Sequence, residues 1–431
     1  MKLFFLVSSL DLTQPFSATP AWWQLMKGLY EIGVEVIAAP YQGAPIESLW
    51  WRAESNPAQL QGDLFKTARD TARRVLGNKS VKPPPQPSPE FRGGSKQGGF
   101  LPLRNLRLPR ISGRGGEHSE RGWGSESLSD RLVRRAAQTA IAPLWARHLD
   151  RILTREPDID AVIVLTAPLN HLVGVAGEIQ RKHNKPVIYY DGDVPASLPN
   201  MQGFASGFRI YQRADLGEYA AFISNSEGGA EAIKALGARQ VHTLFYGADP
   251  DVFSPVDVAA QDIDVMFYGH GREYRGEWID GMIAEPSRAL PDASFAVRGT
   301  KLGDLGRTRM LPYLSFNKLR EYACRSKINL CITRAAHAGV YASSSSRPFE
   351  LSSMGCCIVG NPYNGVERWF EPGREIFIVG SAEEAIDRYR YLLDHETERL
   401  AAGRAARERV LKEHTFRHRA RQLVDIVRQH T

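Results

Sequence analysis

The sequence contains few cysteines and no long apolar run. Four of its 431 residues are cysteine, all in the last third of the chain, and none forms a CxxC pair. This pattern favours buried free thiols in a reducing, cytoplasmic compartment over disulfides or a metal site. No run of 18 apolar residues occurs, so we expect no transmembrane segment.

The first ten residues, MKLFFLVSSL, have some features of a signal peptide. Their apolar part is short, however, and the polar residues Asp11 and Gln14 follow at once. We therefore interpret this segment as the first buried strand of a sheet.

The sequence has fewer acidic than basic residues, which gives a net charge of +7. The basic excess comes from residues 72–121, which hold eleven Lys or Arg against three Asp or Glu. This region is rich in Pro, Gly and Ser and lacks periodicity, so residues 78–126 are predicted to form a disordered insertion. Because stacking aromatics are scarce there, a solvated loop is favoured over an RNA- or membrane-binding arm, and no nucleic-acid partner is expected.

Outside the insertion, apolar strand patterns alternate with helical patterns. KLFFLV, an amphipathic stretch ending in Gly33, and VEVIAAP form a βαβ opening, and the pattern starts again at DIDVMFYGHG. The prediction is an α/β chain of two doubly wound Rossmann-like domains, residues 1–255 and 256–412, followed by a helical segment at 413–431. In such folds ligands bind beyond the carboxyl ends of the strands, which here means the cleft between the domains.

The segment SSSSRPFELSSMGCCIVG, residues 343–360, predicts a loop, a short helix and a buried strand. Pro348 suits an early helical position and Gly355 suits a helix end. Arg347 and Glu350 are then held near a helix N-terminus, where phosphates and sugar hydroxyls commonly bind. The serines are expected to supply small side chains and accessible amides.

Two other strand ends carry candidate residues. In YYDGDVP, Asp191 and Asp193 are expected to be exposed at the cleft, and Asp193 is the candidate general base toward an acceptor hydroxyl. An Asp-Gly turn without chemistry is the alternative, and no metal is expected. In FYGHGREYRG, Gly269 and Gly271 allow a ligand to approach the backbone closely.

These motifs resemble the group-1 glycosyltransferases of the GT-B fold. The resemblance is carried by VHTLFYGADPDVFSP, by the YGHGREYRGEW turn and by RPFELSSMGCCIVGNPYNGVERWFEPGREIFIV, and it covers most of residues 215–431. An Arg before the Phe-Glu pair and the closing HTFRHR resemble the branch of the spore-maturation protein CgeB. In the resembled fold the C-terminal segment returns to the N-terminal domain.

The resemblance implies roles for individual residues. Glu350 matches the second Glu of the family pattern and is expected to accept hydrogen bonds from ribose hydroxyls. The first Glu of the pattern is missing, because position 342 is alanine. Residues expected to bind the diphosphate are Arg272, Arg275 and Arg347, with Arg275 assigned a catalytic part because negative charge grows on the leaving group. Asn364, Gly365 and Glu367 match the turn that contacts the donor sugar or phosphate.

The function expected from this resemblance is transfer of a sugar from a UDP-, GDP- or dTDP-sugar to an unknown acceptor, either a glycan, a lipid-linked molecule or a small molecule. No cofactor beyond the nucleotide-sugar is expected. One alternative is a sugar-nucleotide epimerase of the same fold. A second is a non-catalytic nucleotide-sugar-binding or scaffold protein, which the alanine at 342 supports.

Overall fold

The structure of the protein is a computed structural model that describes residues 1–11, 20–63, 128–199, 210–271 and 275–431. The predicted insertion at 78–126 and the candidate phosphate ligand Arg272 lie outside the described residues.

The first half of the chain builds one parallel sheet of seven strands in the order β3-β2-β1-β4-β5-β6-β7. The strands are β1 Lys2–Ser9, β2 Glu35–Gln42, β3 Arg52–Ala53, β4 Ala161–Leu165, β5 Val187–Asp191, β6 Ala221–Ser224 and β7 Val241–Thr243. The apolar run at the N-terminus is therefore a strand, as predicted. It is buried because it pairs with β2 on one side and β4 on the other.

Helices cover both faces of this sheet, which makes it doubly wound. They are α1 Ala21–Glu31, α2 Leu128–Ala136, α3 Ala142–Arg155, α4 Val175–His183 and α5 Glu227–Ala235. One face packs against α3 and α4 through residues such as Trp145 and Ile179. The other packs against α1 through Leu25 and Leu29. Both faces of the central strands β4, β5 and β6 are thus buried, whereas the edge strands β3 and β7 are partly exposed.

The second half repeats the architecture with a parallel sheet of six strands in the order β10-β9-β8-β11-β12-β13. The strands are β8 Ile263–His270, β9 Phe295–Thr300, β10 Arg309–Met310, β11 Ser326–Cys331, β12 Ile358–Gly360 and β13 Phe377–Ile378. The helices are α6 Gly276–Ile279, α7 Glu285–Ala289, α8 Phe316–Cys324, α9 Ala335–Gly339, α10 Ser346–Ser353, α11 Ala382–Asp394 and α12 Glu396–Glu413. Two separate apolar clusters fill its two faces.

The last helix, α13 Phe416–Arg428, packs on the first sheet's layer of helices. Its side chains Leu423 and Val427 are fully buried beside α1. The two helices approach so closely that a Cβ atom on Gly28 would lie 2.8 Å from the carbonyl oxygen of Phe416. This contact joins the end of the chain to its beginning.

The predicted fold class, two Rossmann-like α/β units, is confirmed. The division at residues 255 and 412 stays a prediction. No helix in the described ranges is both long and apolar enough to cross a membrane.

Candidate active site between the two sheets

The serine run connects the two halves of the molecule. Ser343 forms an isolated β-bridge with Ser226, and its hydroxyl donates to the carbonyl oxygen of Val194 at 3.2 Å. Ser344 exchanges hydrogen bonds with Asn225, and its hydroxyl oxygen accepts the backbone N–H of Tyr246 at 2.9 Å. The extended segment before α10 is therefore hydrogen-bonded to residues that follow the strands of the first sheet.

The expectation that these serines offer accessible amides is wrong for Ser343 and Ser344. Both are fully buried, and the N–H of Ser344 donates to the carbonyl oxygen of Asn225 at 3.0 Å. Small hydroxyl side chains are used here because they can pair buried polar backbone groups without separating the two halves.

Arg347 lies in the first turn of α10, where the sequence predicted it. Its guanidinium donates to the carbonyl oxygen of Tyr268 at the end of β8, and its central carbon lies 3.6 Å from the centre of the Tyr268 ring. The Nε atom is buried and has no hydrogen-bond partner among the residues that the structure describes. The side chain is therefore fixed in place while one donor stays unused.

Glu350 follows one turn later and is only 1% exposed. Burial raises the pKa of its carboxyl to about 7, although Arg347 and a hydrogen bond from Gln24 of α1 act in the opposite direction. Within the described ranges, its Oε1 atom has no hydrogen-bond partner. A buried acceptor that is left unpaired costs about 1–3 kcal/mol, and a ligand hydroxyl is a suitable donor for it.

Arg275 caps the start of α6 at the carboxyl end of β8. Its guanidinium donates to the carbonyl oxygen of Ile332 at 2.8 Å and to the carbonyl oxygens of His270 and Gly271. Gly271 has a φ of +75°, which a glycine adopts without strain, and a Cβ atom on Gly269 would lie 2.7 Å from the Phe267 ring. The turn is thus tightly built around Arg275.

The two aspartates at the end of β5 have different environments, and the expectation that both are exposed at the cleft is wrong for Asp191. Asp191 is fully buried and accepts hydrogen bonds from Ser197 and Tyr211, each at 2.6 Å. Burial raises the pKa of Asp191 to about 6 despite these bonds. Asp191 therefore stabilises the turn from the inside. The side chain of Asp193, in contrast, is 31% exposed.

Asp193 forms an ion pair with Arg334 of the second half, with 3.2 Å between Oδ1 and Nη2. Arg334 directly precedes α9 beyond the end of β11, and its Nη2 also lies 3.4 Å from Nε2 of His337. Burial, with Arg334 and Arg275 nearby, holds the pKa of His337 well below its usual value. The carboxyl ends of β5 and β11 thus meet through this pair.

The turn at 364–365 is less open than the family resemblance implied. The N–H of Asn364 donates to Ala338, and its carbonyl oxygen accepts the N–H of Ala342 at 3.0 Å. A Cβ atom on Gly365 would lie 2.3 Å from the backbone nitrogen of Ala342. Glu367 is exposed and interacts with the hydroxyl of Tyr341. The turn therefore supports the segment before the serines.

Sequence reasoning missed Arg334, Gln24 and His337. Arg334 follows the strand INLCIT, and a basic residue directly after a predicted parallel strand is the signal that could have revealed it. Gln24 gives no such signal, because its contact with Glu350 joins residues from the two halves of the chain.

No group of three or more His, Cys, Asp or Glu side chains that could hold a metal ion occurs among the described residues. Three positive charges lie near strand ends in the second half, on Arg275, Arg334 and Arg347. No metal-binding cluster accompanies them in the described part of the chain. Such an arrangement favours an anionic ligand.

Comparison with known proteins found one matching family model, which covers part of the second half of the chain. Residues 275–425 match a family described as glycosyl transferase-like. No curated protein matches the chain.

Three solved structures have a similar fold over nearly the whole chain. Sucrose-phosphate synthase (tll1590) from Thermosynechococcus elongatus is 13% identical with a TM-score of 0.60, over 99% of this chain and 98% of that one. Anabaena Alr3699/HepE in complex with UDP-glucose is 11% identical with a TM-score of 0.55, over 100% of both chains. A structure described as trehalose-6-phosphate from E. coli bound with UDP-2-fluoro glucose is 10% identical with a TM-score of 0.58, over 100% and 99%.

The chain therefore has the GT-B fold, and its residues 275–425 are similar to glycosyltransferases.

Proposed function

We propose that this protein is a glycosyltransferase that moves a sugar from a nucleotide-sugar to an acceptor hydroxyl in the cleft between the two sheets. The observation that carries the proposal is the buried carboxyl group of Glu350, which has one oxygen left unpaired by the described part of the chain and lies beside Arg347 at the start of α10. The unpaired oxygen suits a ribose hydroxyl, and the arginine suits a phosphate. A nucleoside diphosphate carries both groups.

The donor is assigned from chemistry and likeness together. We propose that the diphosphate is bound by Arg347, Arg275 and Arg272. The donor sugar is then supported by Asn364, Gly365 and Glu367. We propose that the phosphates approach the backbone of Gly269 and Gly271 near the end of β8. Because two similar solved structures are described with UDP-glucose or UDP-2-fluoro glucose, UDP-sugars are the first donors to test.

Asp193 is proposed as the general base, and Arg334 is proposed to control its availability. In the structure their ion pair joins the two halves across the cleft. A diphosphate competes with Asp193 for the guanidinium, since a phosphate is an equally good partner for the bidentate donor. Donor binding would then release the carboxylate to accept the proton of the acceptor hydroxyl.

The test is a thermal-shift screen of the full chain with UDP-, GDP-, dTDP- and CMP-sugars. A donor at about 100 times its Kd adds roughly 2.7 kcal/mol of apparent stability. Stabilisation by one nucleotide class, with release of the nucleoside diphosphate when acceptors are added, supports the proposal. The absence of stabilisation by any of the four classes contradicts it.

Two alternatives give different results in the same assay. An epimerase converts the sugar-nucleotide without any acceptor. A binding or scaffold protein is stabilised by the donor but neither converts nor consumes it, and the buried Ala342 at the first Glu position is the feature that favours this outcome. The acceptor class, the cytoplasmic location and the assignment to the CgeB-like branch stay predictions.

A further inference from the structure

Two cysteines meet at the opposite edge of the second sheet from the candidate active site. Cys324 is the last residue of α8, and Cys356 lies two residues before β12, so both are at the amino ends of strands. The Cys356 thiol lies 3.6 Å from the carbonyl oxygen of Ala323, and the two thiols interact directly. The fold therefore brings together two thiols that are 32 positions apart in the sequence.

Both thiols line a cavity of about 150 Å³. Cys324 is half-buried and Cys356 is 5% exposed, so a small molecule reaches Cys324 first. Lys327, Arg399 and Gln261 also line the cavity, which makes the lining polar and cationic. A volume of this size holds several water molecules and admits a small polar oxidant.

The two thiols are chemically unequal. The Cys356 thiol, the N–H of Val256 and the charge of Arg320 lower the pKa of Cys324 to about 7 against the effect of burial. The interaction with Cys324, together with burial, holds the pKa of Cys356 well above its usual value. Because the thiolate is the nucleophile, Cys324 is the group that an oxidant attacks first.

We propose that Cys324 and Cys356 are a redox-active pair that a peroxide converts to an intramolecular disulfide. The Cys324 thiolate attacks one oxygen of hydrogen peroxide, the O–O bond breaks, and a sulfenic acid and hydroxide form. The hydroxide takes up the proton that the Cys324 thiol released, which gives the first water. The sulfur of Cys356 then displaces the sulfenic hydroxyl, which leaves as water with the thiol proton. Two electrons from the two sulfurs reduce one peroxide to two waters, and a dithiol reductant reverses the change.

The disulfide would enclose the part of the chain that carries the candidate phosphate and ribose ligands. The loop between the two cysteines contains Arg334, Arg347 and Glu350. A crosslink across such a loop restricts the unfolded chain and so stabilises the folded one. We expect the oxidised protein to melt several degrees above the reduced protein.

The other two cysteines serve as matched controls. Cys357 is next to Cys356 and also lines the cavity, but it packs in the apolar cluster on the other face of the sheet. Burial raises its pKa to about 12, and burial also raises the pKa of Cys331. Neither thiol is expected to react.

The experiment treats the reduced full-length protein with hydrogen peroxide and then counts free thiols in denaturant. We expect two of the four thiols to be lost and regained with dithiothreitol, with the mass of the oxidised monomer lower by two hydrogen atoms. Peptide mapping should join the peptide of Cys324 to the peptide of Cys356 and Cys357. The Cys357→Ala variant identifies the partner, because the link persists in it only if Cys356 is the partner.

Cys324→Ser and Cys356→Ala should each abolish the loss of the thiol pair, whereas Cys331→Ala and Cys357→Ala should retain it. Circular dichroism checks that each variant is folded. If Cys356→Ala does not fold, Cys324→Ser decides the result, because Cys324 is only half-buried and its replacement is expected to leave the fold intact. The proposal is overturned if wild type retains four thiols, forms an intermolecular disulfide, or accumulates sulfinic acid on Cys324 while Cys356 stays reduced. The readouts need no nucleotide, so they are independent of the proposed function.

Discussion

Ser344 and Asn225 exchange three hydrogen bonds across the boundary between the two sheets. The N–H and the hydroxyl of Ser344 donate to the carbonyl oxygen of Asn225 at 3.0 and 2.8 Å, and the Asn225 amide donates to the carbonyl oxygen of Ser344 at 3.0 Å. The residues that lead into the Arg347 and Glu350 helix are therefore anchored on the opposite half. The position of the candidate ligands depends on this anchor.

Removing the Ser344 hydroxyl should destabilise the protein. Ser344→Ala loses the hydrogen bond from the Ser344 hydroxyl to the carbonyl oxygen of Asn225, and the N–H of Tyr246 loses its acceptor. We therefore expect a loss of about 1–3 kcal/mol in the free energy of unfolding. Urea denaturation measures it. Ser346→Ala is the control, because Ser346 is only half-buried and lies beyond the anchored pair. Equal unfolding midpoints for both variants would contradict the anchoring role.

Glu350 and Arg347 should have separable effects on nucleotide binding. Glu350→Gln weakens a charge-assisted acceptor and should cost on the order of 1–3 kcal/mol with both the nucleoside and the nucleoside diphosphate. Arg347→Ala should weaken only the diphosphate complex and should slow transfer as well, since leaving-group charge grows in the transition state. Isothermal titration with the two ligands measures this difference. Unchanged affinities in both variants would remove the proposed site.

The ion pair across the cleft predicts opposite effects for its two members. Asp193→Asn removes the competitor of the diphosphate, so we expect severalfold tighter diphosphate binding together with a large loss of transfer. Arg334→Ala should weaken diphosphate binding at least tenfold, which corresponds to about 1.4 kcal/mol. The matched control is Arg368→Ala, because Arg368 forms another ion pair between the halves, with Glu227 at 2.8 Å. If all three variants change affinity alike, the pair acts only through domain packing.

The carboxyl of Glu350 should make stability depend on pH. Its folded pKa, about 7, is above its ordinary value of 4.5, so the folded state binds more protons between these values. Stability from this group is complete below pH 4.5 and is lost as the pH rises toward 7, by up to about 3 kcal/mol. Glu350→Gln should lack this component. Urea denaturation from pH 5 to 8 checks it, and parallel curves for both proteins would show that the carboxyl is already ionised.

The last helix should contribute strongly to the first half. Leu423→Ala creates a cavity between α13 and α1, and we expect it to cost about 2–5 kcal/mol in the free energy of unfolding, because Leu423 is fully buried. Arg421→Ala on the exposed face of the same helix is the control. A loss below 1 kcal/mol for Leu423→Ala would show that the helix is only loosely attached.

Local patterns were sufficient to predict the two sheets and the start of the site helix. KLFFLV and VEVIAAP are predicted as buried strands because strands covered on both faces need apolar runs. Pro348 and Gly355 were placed correctly, since a proline suits an early helical position and Gly355 adopts a φ of +74° at the helix end. These features depend on residues that are close in sequence.

The environments of the candidate residues were decided by contacts between distant parts of the chain. Asp191 and Asp193 are two residues apart and look equivalent in the sequence, yet Ser197 and Tyr211 enclose the first while Arg334 pairs with the second. The serine run likewise gave no sign of its attachment to Asn225. The sequence by itself determined the secondary structure, the parallel sheets and the identity of the polar groups near the strand ends. Only the tertiary structure decided which of those groups are buried, which are paired and which keep an unused donor or acceptor. The reason is that burial and pairing depend on how the two halves pack against each other.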